Sequence, residues 1–387
     1  MKKLAKNRGA IATAKVIPYN QAAYVVLSVG LIIASLVLFS AEPAISEPFF
    51  GNPFNIYRVA IMALAMVFLL LATKDGWKSN LHQAEAETKK LPKVQKLLRR
   101  LQIILPALAI IFIVLQIFLP EFAVNLIRKE SQPFYRTGIF IKSAFQIVGL
   151  VFFAKTAKYY FKEKNYLAGV LSYLLALVLF VMAGEELSWG QRIFHWDTPA
   201  DYAKLNTQGE TNLHNLDTQA FQNTLYFGGW LLLVALPFFR SNLKKLFNKT
   251  KHLKFVNEFL PPIAFTTLFA VAFGLFDPIG TDNGIYWGSN LFIVVGTLII
   301  LCAEVYLAVK SHSDKNLSKS LLLLAAFIAV TIGSAFFNRT WKLNVGVPTE
   351  YLELFISFGI MLWSIIVNQR THSLASRTIA SSADDAD

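Results

Sequence analysis

The sequence predicts an all-α fold: a polytopic transmembrane helical bundle of about ten spans, with one partly helical extracytoplasmic loop. Three observations predict it. Of 387 residues, 55% are hydrophobic and only 16% charged, with a mean hydropathy of +0.48; a soluble domain carries about 25% charged residues. Apolar runs of about 17 or more residues recur along the chain, long enough to cross the hydrocarbon core. Basic residues gather in alternate connections, as they do in inner-membrane proteins. A β-barrel would show segments of about ten residues with alternating hydrophobicity instead.

The spans are expected at 22–40, 56–72, 101–119, 137–154, 166–183, 223–239, 260–276, 289–309, 320–337 and 351–367. Pro120, Lys155, Gly184, Arg240, Asp277 and Lys310 mark their ends, because proline, glycine and charge interrupt apolar helices. Lys2 to Lys15 precede the first run with no small-residue cleavage site, so that run reads as a span and not a signal peptide. The N-terminus and loops 73–100, 155–165, 240–259 and 310–319, with the tail, hold 28 Lys and Arg; the opposite set of connections holds seven. Both termini are therefore expected in the cytoplasm and loop 184–222 outside, with the chain in the cell's inner membrane. Loop 75–100 reads as a basic amphipathic helix on the inner face. Residues 1–370 form a single membrane domain, and the Ser-, Ala- and Asp-rich tail 371–387 is expected to be disordered.

Charge and cysteine usage exclude some functions. The net charge of +13 is accounted for by the inner loops, so no nucleic-acid partner is expected; membrane lipids are. The lone Cys302 excludes an intramolecular disulfide and a cysteine zinc cluster. No internal repeat suggests a carrier built from inverted halves.

Polar chemistry concentrates at 183–216. Glu185 and Glu186 close an apolar run, where a helix C-terminus already carries partial negative charge. Arg192 and His195 follow as compensating cations, and on a continuous helix Glu185, Ser188 and Arg192 share one side. The carboxylate pair suits acid/base work. Glu210 and His214 stand i,i+4, so a helix over 206–217 would aim both, with Asn206, in one direction. Together with Glu186 and His195 they can supply ligands to a divalent metal, the cofactor this spacing suggests. Gln191, Asn206, Gln208, Asn212 and Asn215 offer amide donors and acceptors for a substrate, and Arg339, after the ninth span, can hold a phosphate. Ser188 lacks the flanking glycines of a nucleophile elbow. Trp189 and Trp196 suit the membrane interface. Glu304, inside the eighth span, is a candidate for an ion path.

The string Glu185-Glu186-Leu-Ser-Trp-Gly-Gln-Arg192, followed by Asn206-Thr-Gln208-Gly-Glu210-Thr-Asn212-Leu-His214-Asn215, resembles the signature of a family of uncharacterised bacterial multi-pass membrane proteins. That resemblance implies a class and a bacterial origin. The paired glutamates are also similar to the opening of the CAAX-type intramembrane protease motif, although Arg192 comes two positions later than that motif's arginine. The function expected is a membrane enzyme acting at the extracytoplasmic face on a lipid or lipid-linked substrate. Its catalytic residues would come from Glu185, Glu186, Arg192, His195, Glu210 and His214. The alternatives are a transporter or flippase-like carrier, and a non-catalytic membrane scaffold.

Overall fold

The structure is a computed structural model that describes residues 92–119, 122, 133–206, 210–213, 216, 218–249, 253–275, 287–310, 312, 314–341 and 346–384. The expected spans 22–40 and 56–72, and residues 75–91 of the basic loop, lie outside these. Among the described residues every regular element is helical. Eight helices are long and apolar enough to cross a membrane, one for each of the eight expected spans that fall within the described chain. This is the architecture of a multi-pass membrane protein.

The first is α1, Pro92–Phe118. Proline is at home at a helix start, where its missing N–H has no intrahelical partner anyway. Lys96, Arg99 and Arg100 are exposed on the first turns, so this end of the basic loop continues into the spanning helix and is not a separate surface helix. α2, Pro133–Lys162, also opens on proline. A turn leads into α3, Tyr166–Glu186, where the Asn165 side chain accepts a hydrogen bond from the Ala168 amide, a standard N-cap. Short helices α4 (Gln191–Phe194) and α5 (Ala200–Leu205) occupy the polar loop. α6 (Thr218–Trp230) runs through a π turn at Leu231–Ala235 into α7 (Leu236–Lys249).

The next span is broken. Helix α8 (Val256–Phe259) stops before Pro261-Pro262; α9 (Ala264–Phe269) and a 3-10 segment, Ala270–Leu275, follow. Proline removes the donor and sterically blocks the preceding turn, so the interruption is local in origin. In hydrocarbon, every carbonyl freed by a break needs a partner. Arg240, buried on α7, donates to the carbonyls of Leu260, Pro261 and Asn257. Arg370 donates to those of Glu258 and Leu260. Trp363 Nε1 donates to the Phe259 carbonyl at 2.6 Å. The broken element is the most buried of the eight and sits at the centre of the bundle, against α1, α11 and α12.

Helices α10 (Trp287–Lys310), α11 (Asp314–Trp341) and α12 (Gly346–Asp384) complete the chain. The helix of α12 continues to Asp384, through the tail expected to be disordered. That stretch contains neither glycine nor proline, and its alanines are the best helix formers. α2 lies between α3 and α12 and packs extensively on both. The α2–α12 seam is laced by hydrogen bonds from Gln146 to Ser357 (3.4 Å), Asn368 to Thr156 (3.1 Å) and Thr371 to Tyr160 (3.3 Å). A Cβ at Gly149 would come within 2.8 Å of Leu179 and 3.5 Å of Ser364, so a small residue is what lets α2, α3 and α12 close up. The start of α2, the end of α3 and the start of α12 meet at one end of the bundle, and the polar loop folds over that end.

Candidate functional site

The polar loop begins with a hinge. α3 ends at Glu186, and Ser188 (φ 48°), Trp189 (φ 53°) and Gly190 (φ 98°) are all left-handed. Only glycine adopts that conformation freely; for the other two it costs about 1–3 kcal/mol each. The continuous helix that would put Glu185, Ser188 and Arg192 on one side therefore does not form. The reversal folds the Trp189 ring back over Gly184, where a Cβ would lie 2.8 Å from the indole. Trp189 Nε1 then donates to Glu185 Oε1 at 2.6 Å.

Beyond the hinge, the motif residues bind one another. Glu210 is the hub. Its carboxylate pairs with Arg192 Nη2 at 2.6 Å, and accepts from the Ser188 hydroxyl at 2.9 Å and Asn212 Nδ2 at 2.8 Å. Arg192 Nε donates to Ser188 Oγ at 3.3 Å. Asn206 Nδ2 donates to the Asn212 carbonyl at 2.8 Å, and Asn206 Oδ1 accepts from the Glu210 amide at 3.2 Å. Gln191 Oε1 accepts from the Thr211 amide at 2.8 Å, while its Nε2 donates to Thr198 Oγ1 at 2.7 Å. Glu185 Oε2 accepts from the Leu213 amide at 2.7 Å. The Tyr202 hydroxyl donates to the Asn212 carbonyl at 2.7 Å; burial, and after it the nearby Glu185 carboxylate, push that hydroxyl's pKa up, which keeps it a donor. Ser188, Asn206 and Asn212 are buried. The motif residues thus fold their own loop into a stapled hairpin.

The structure corrects the expected helix over 206–217. The residues described there, 206 and 210–213, are not helical, so Glu210 stands on no helix face. The reason is local: the Asn206 side chain bonds the Glu210 amide and the Asn212 carbonyl, which competes with a helical turn.

A second network lies beside the hairpin and centres on a residue outside the 183–216 motif. Lys142, on α2 with its side chain 6% exposed, contacts three carboxylates: Glu353 at 2.7 Å, Glu186 at 3.1 Å and Glu350 at 3.2 Å. They come from the start of α12 and the end of α3. The Tyr226 hydroxyl of α6 donates to Glu353 Oε1 at 2.7 Å. Three carboxylates round one ammonium carry a formal charge of −2 when all are ionised. Glu186 and Glu350 open to the rim, 19% and 36% exposed, and Arg192 is an electrostatic neighbour of Glu350. Elsewhere on α2 and α12, Ser143 Oγ, Gln146 Oε1 and the Tyr351 hydroxyl are buried with no hydrogen bond among the described residues; the Tyr351 ring stacks on Phe112 of α1, with centroids 4.0 Å apart.

The compensating cation for Glu186 is therefore Lys142, not Arg192 or His195. Arg192 serves Glu210, and His195 is exposed at the left-handed end of α4. The expected metal ligands Glu186, His195 and Glu210 do not assemble: among the described residues no three His, Cys, Asp or Glu side chains form a metal-holding group. His214, Gln208 and Asn215 lie outside the described residues. Arg339 falls on α11, with its side chain outside them. Glu304 on α10 has Lys319 as its electrostatic neighbour and stands apart from both networks. The sequence did carry a signal for Lys142: a cation nine residues inside α2, where burial demands partners.

The chain matches no family profile, no curated protein sequence and no solved structure.

Proposed function

We propose that this protein is a membrane enzyme that acts at the extracytoplasmic face of a bacterial inner membrane on a lipid or lipid-linked substrate. Its reactive centre is Glu186, Glu350 and Glu353 gathered on Lys142. The observation that carries this reading is the difference between the two networks. In the hairpin, the motif side chains are bonded to one another. In the Lys142 cluster, three carboxylates share one ammonium and two of them open to the rim, so charge is left for another group to meet. Glu186 and Glu350 are the acid/base candidates because they are the open ones. Lys142 and Glu353 hold them, and the neighbouring Arg192 offsets negative charge on a phosphate-bearing headgroup. The excess of basic residues in alternate connections supports both the outward placement of this end and cytoplasmic termini. The motif's resemblance to a bacterial multi-pass family agrees with the membrane assigned.

The carrier reading draws on the broken central span, since carriers bind substrate at interrupted helices. Here the carbonyls at the break are taken up by Arg240 and Arg370, which leaves less for a substrate to bind. The scaffold reading suits the hairpin but leaves the Lys142 cluster without a role.

The test is complementation of a deletion strain by Glu186→Gln, Glu350→Gln and Lys142→Met, with whole-cell lipid profiles by mass spectrometry. Loss of complementation at normal membrane levels, with a precursor lipid accumulating, is the expected result. Full complementation by all three variants would remove the catalytic assignment.

A further inference from the structure

We infer that the hairpin carries a groove for the acyl chain of a lipid from the surrounding leaflet. The groove is a shallow, largely open depression of about 610 Å³. Trp189, Pro199, Tyr202, Leu205, Thr211 and Leu213 line it. Its polar atoms are already committed: the Tyr202 hydroxyl donates to the Asn212 carbonyl and Thr211 Oγ1 to the Ser188 carbonyl. The charged lining residue, Asp201, is paired with Lys204 at 3.0 Å and marks the watery rim. What the groove offers a ligand is apolar surface, which selects a hydrocarbon chain and not a headgroup.

The identity of the occupant follows from continuity. Tyr173, Leu177, Phe180 and Val181 form an exposed apolar strip on α3, the strip a spanning helix turns to lipid. Phe180 meets Trp189 edge to face, with ring centroids 6.1 Å apart, so the strip runs unbroken into the groove wall. Leu205 and Leu213 are 71% and 57% exposed, a cost that vanishes if hydrocarbon covers them. Phe194 and Trp196, stacked at 5.7 Å and exposed, put an aromatic knob at the same level, where such rings anchor at the membrane interface. A chain leaving the bilayer along α3 enters the groove without crossing water.

This inference rests on the membrane placement above and deepens the proposed substrate class, because the groove and the Lys142 cluster both flank the end of α3: Trp189 bonds Glu185, and Lys142 reaches its neighbour Glu186. The experiment uses the full-length protein in vesicles of phosphatidylethanolamine and phosphatidylglycerol doped with a phospholipid bearing a diazirine on one acyl chain. After irradiation, adducts are mapped by peptide mass spectrometry. Adducts on residues 199–213 as well as on α3 are expected, and Leu205→Asn, at an exposed position, lowers the hairpin adducts severalfold with α3 labelling unchanged. Adducts restricted to spanning helices in the wild-type protein would overturn the inference, as would hairpin labelling by a headgroup diazirine alone. Hairpin labelling with fully functional Glu186→Gln and Glu350→Gln would leave the groove standing and remove the catalytic centre. Inactive variants without hairpin adducts would do the reverse.

Discussion

At the scale of single residues, the neighbours Glu185 and Glu186 do different work. Glu185 is buried and holds Trp189 and the Leu213 amide; Glu186 reaches Lys142. Hydrogen bonds to a charged group contribute about 1.5–3 kcal/mol when broken singly. We therefore predict that Glu185→Gln and Glu210→Gln lower the thermal unfolding midpoint of the detergent-solubilised protein, by an amount corresponding to about 1.5–3 kcal/mol. Glu186→Gln, partly exposed, leaves that midpoint nearly unchanged while abolishing complementation. Equal destabilisation by Glu186→Gln and Glu210→Gln would mean that the two networks are one structural lock. Gly184→Ala puts a methyl 2.8 Å from the Trp189 ring; overpacking of this kind costs about 1–3 kcal/mol, and in a Trp189→Ala background, where the ring is gone, the same substitution should cost little by the same thermal measurement.

At the scale of elements, two features are set by short sequence signals and paired elsewhere. The hinge after α3 needs Ser188 and Trp189 in a strained backbone, and the hairpin's hydrogen bonds hold them there. The Pro261-Pro262 break needs donors from distant helices, and Arg240 supplies several at once. A guanidinium reaches several carbonyls through one planar fork, which an ammonium cannot reproduce. Arg240→Lys is accordingly expected to be destabilised, with Arg240→Met worse, read as the fraction of folded monomer surviving a heat step on a sizing column. Equal survival of Arg240→Met and wild type would show that the break is satisfied in another way. The charge segregation of α2 belongs at this scale too: Lys142 counts toward no loop because three acids already occupy it.

At the scale of the whole molecule, eight described spans place the start of α2, the end of α3 and the start of α12 at a common end with the hairpin. In the proposed orientation, which rests on the basic loops, that end faces outside. In a Cys302→Ser background, Asp197→Cys on the exposed hairpin is predicted to react with a membrane-impermeant maleimide in intact cells, whereas a cysteine at exposed Lys164, between α2 and α3, reacts only after permeabilisation. The opposite pattern would invert the topology and move the site to the cytoplasm.

The sequence by itself determined the all-helical class and the apolar centre of every described span, because hydrocarbon imposes length and apolarity locally, one segment at a time; the helices run past several of the expected ends, as α7 does to Lys249 and α12 to Asp384. It also located the polar segment, since ionisable side chains crowded against an apolar run are too costly to stand there without partners. It did not determine which partners. Spacing counted on unbroken helices matches Arg192 to the neighbouring glutamates and Glu210 to position 214, but Ser188, Trp189 and the Asn206 side chain interrupt those helices. Only the tertiary structure brought Lys142 to Glu186, Glu350 and Glu353, residues separated by as many as 211 positions. The physical reason is that a buried charge must find a counter-charge in space, and spacing along the chain carries no record of which helix end will be adjacent.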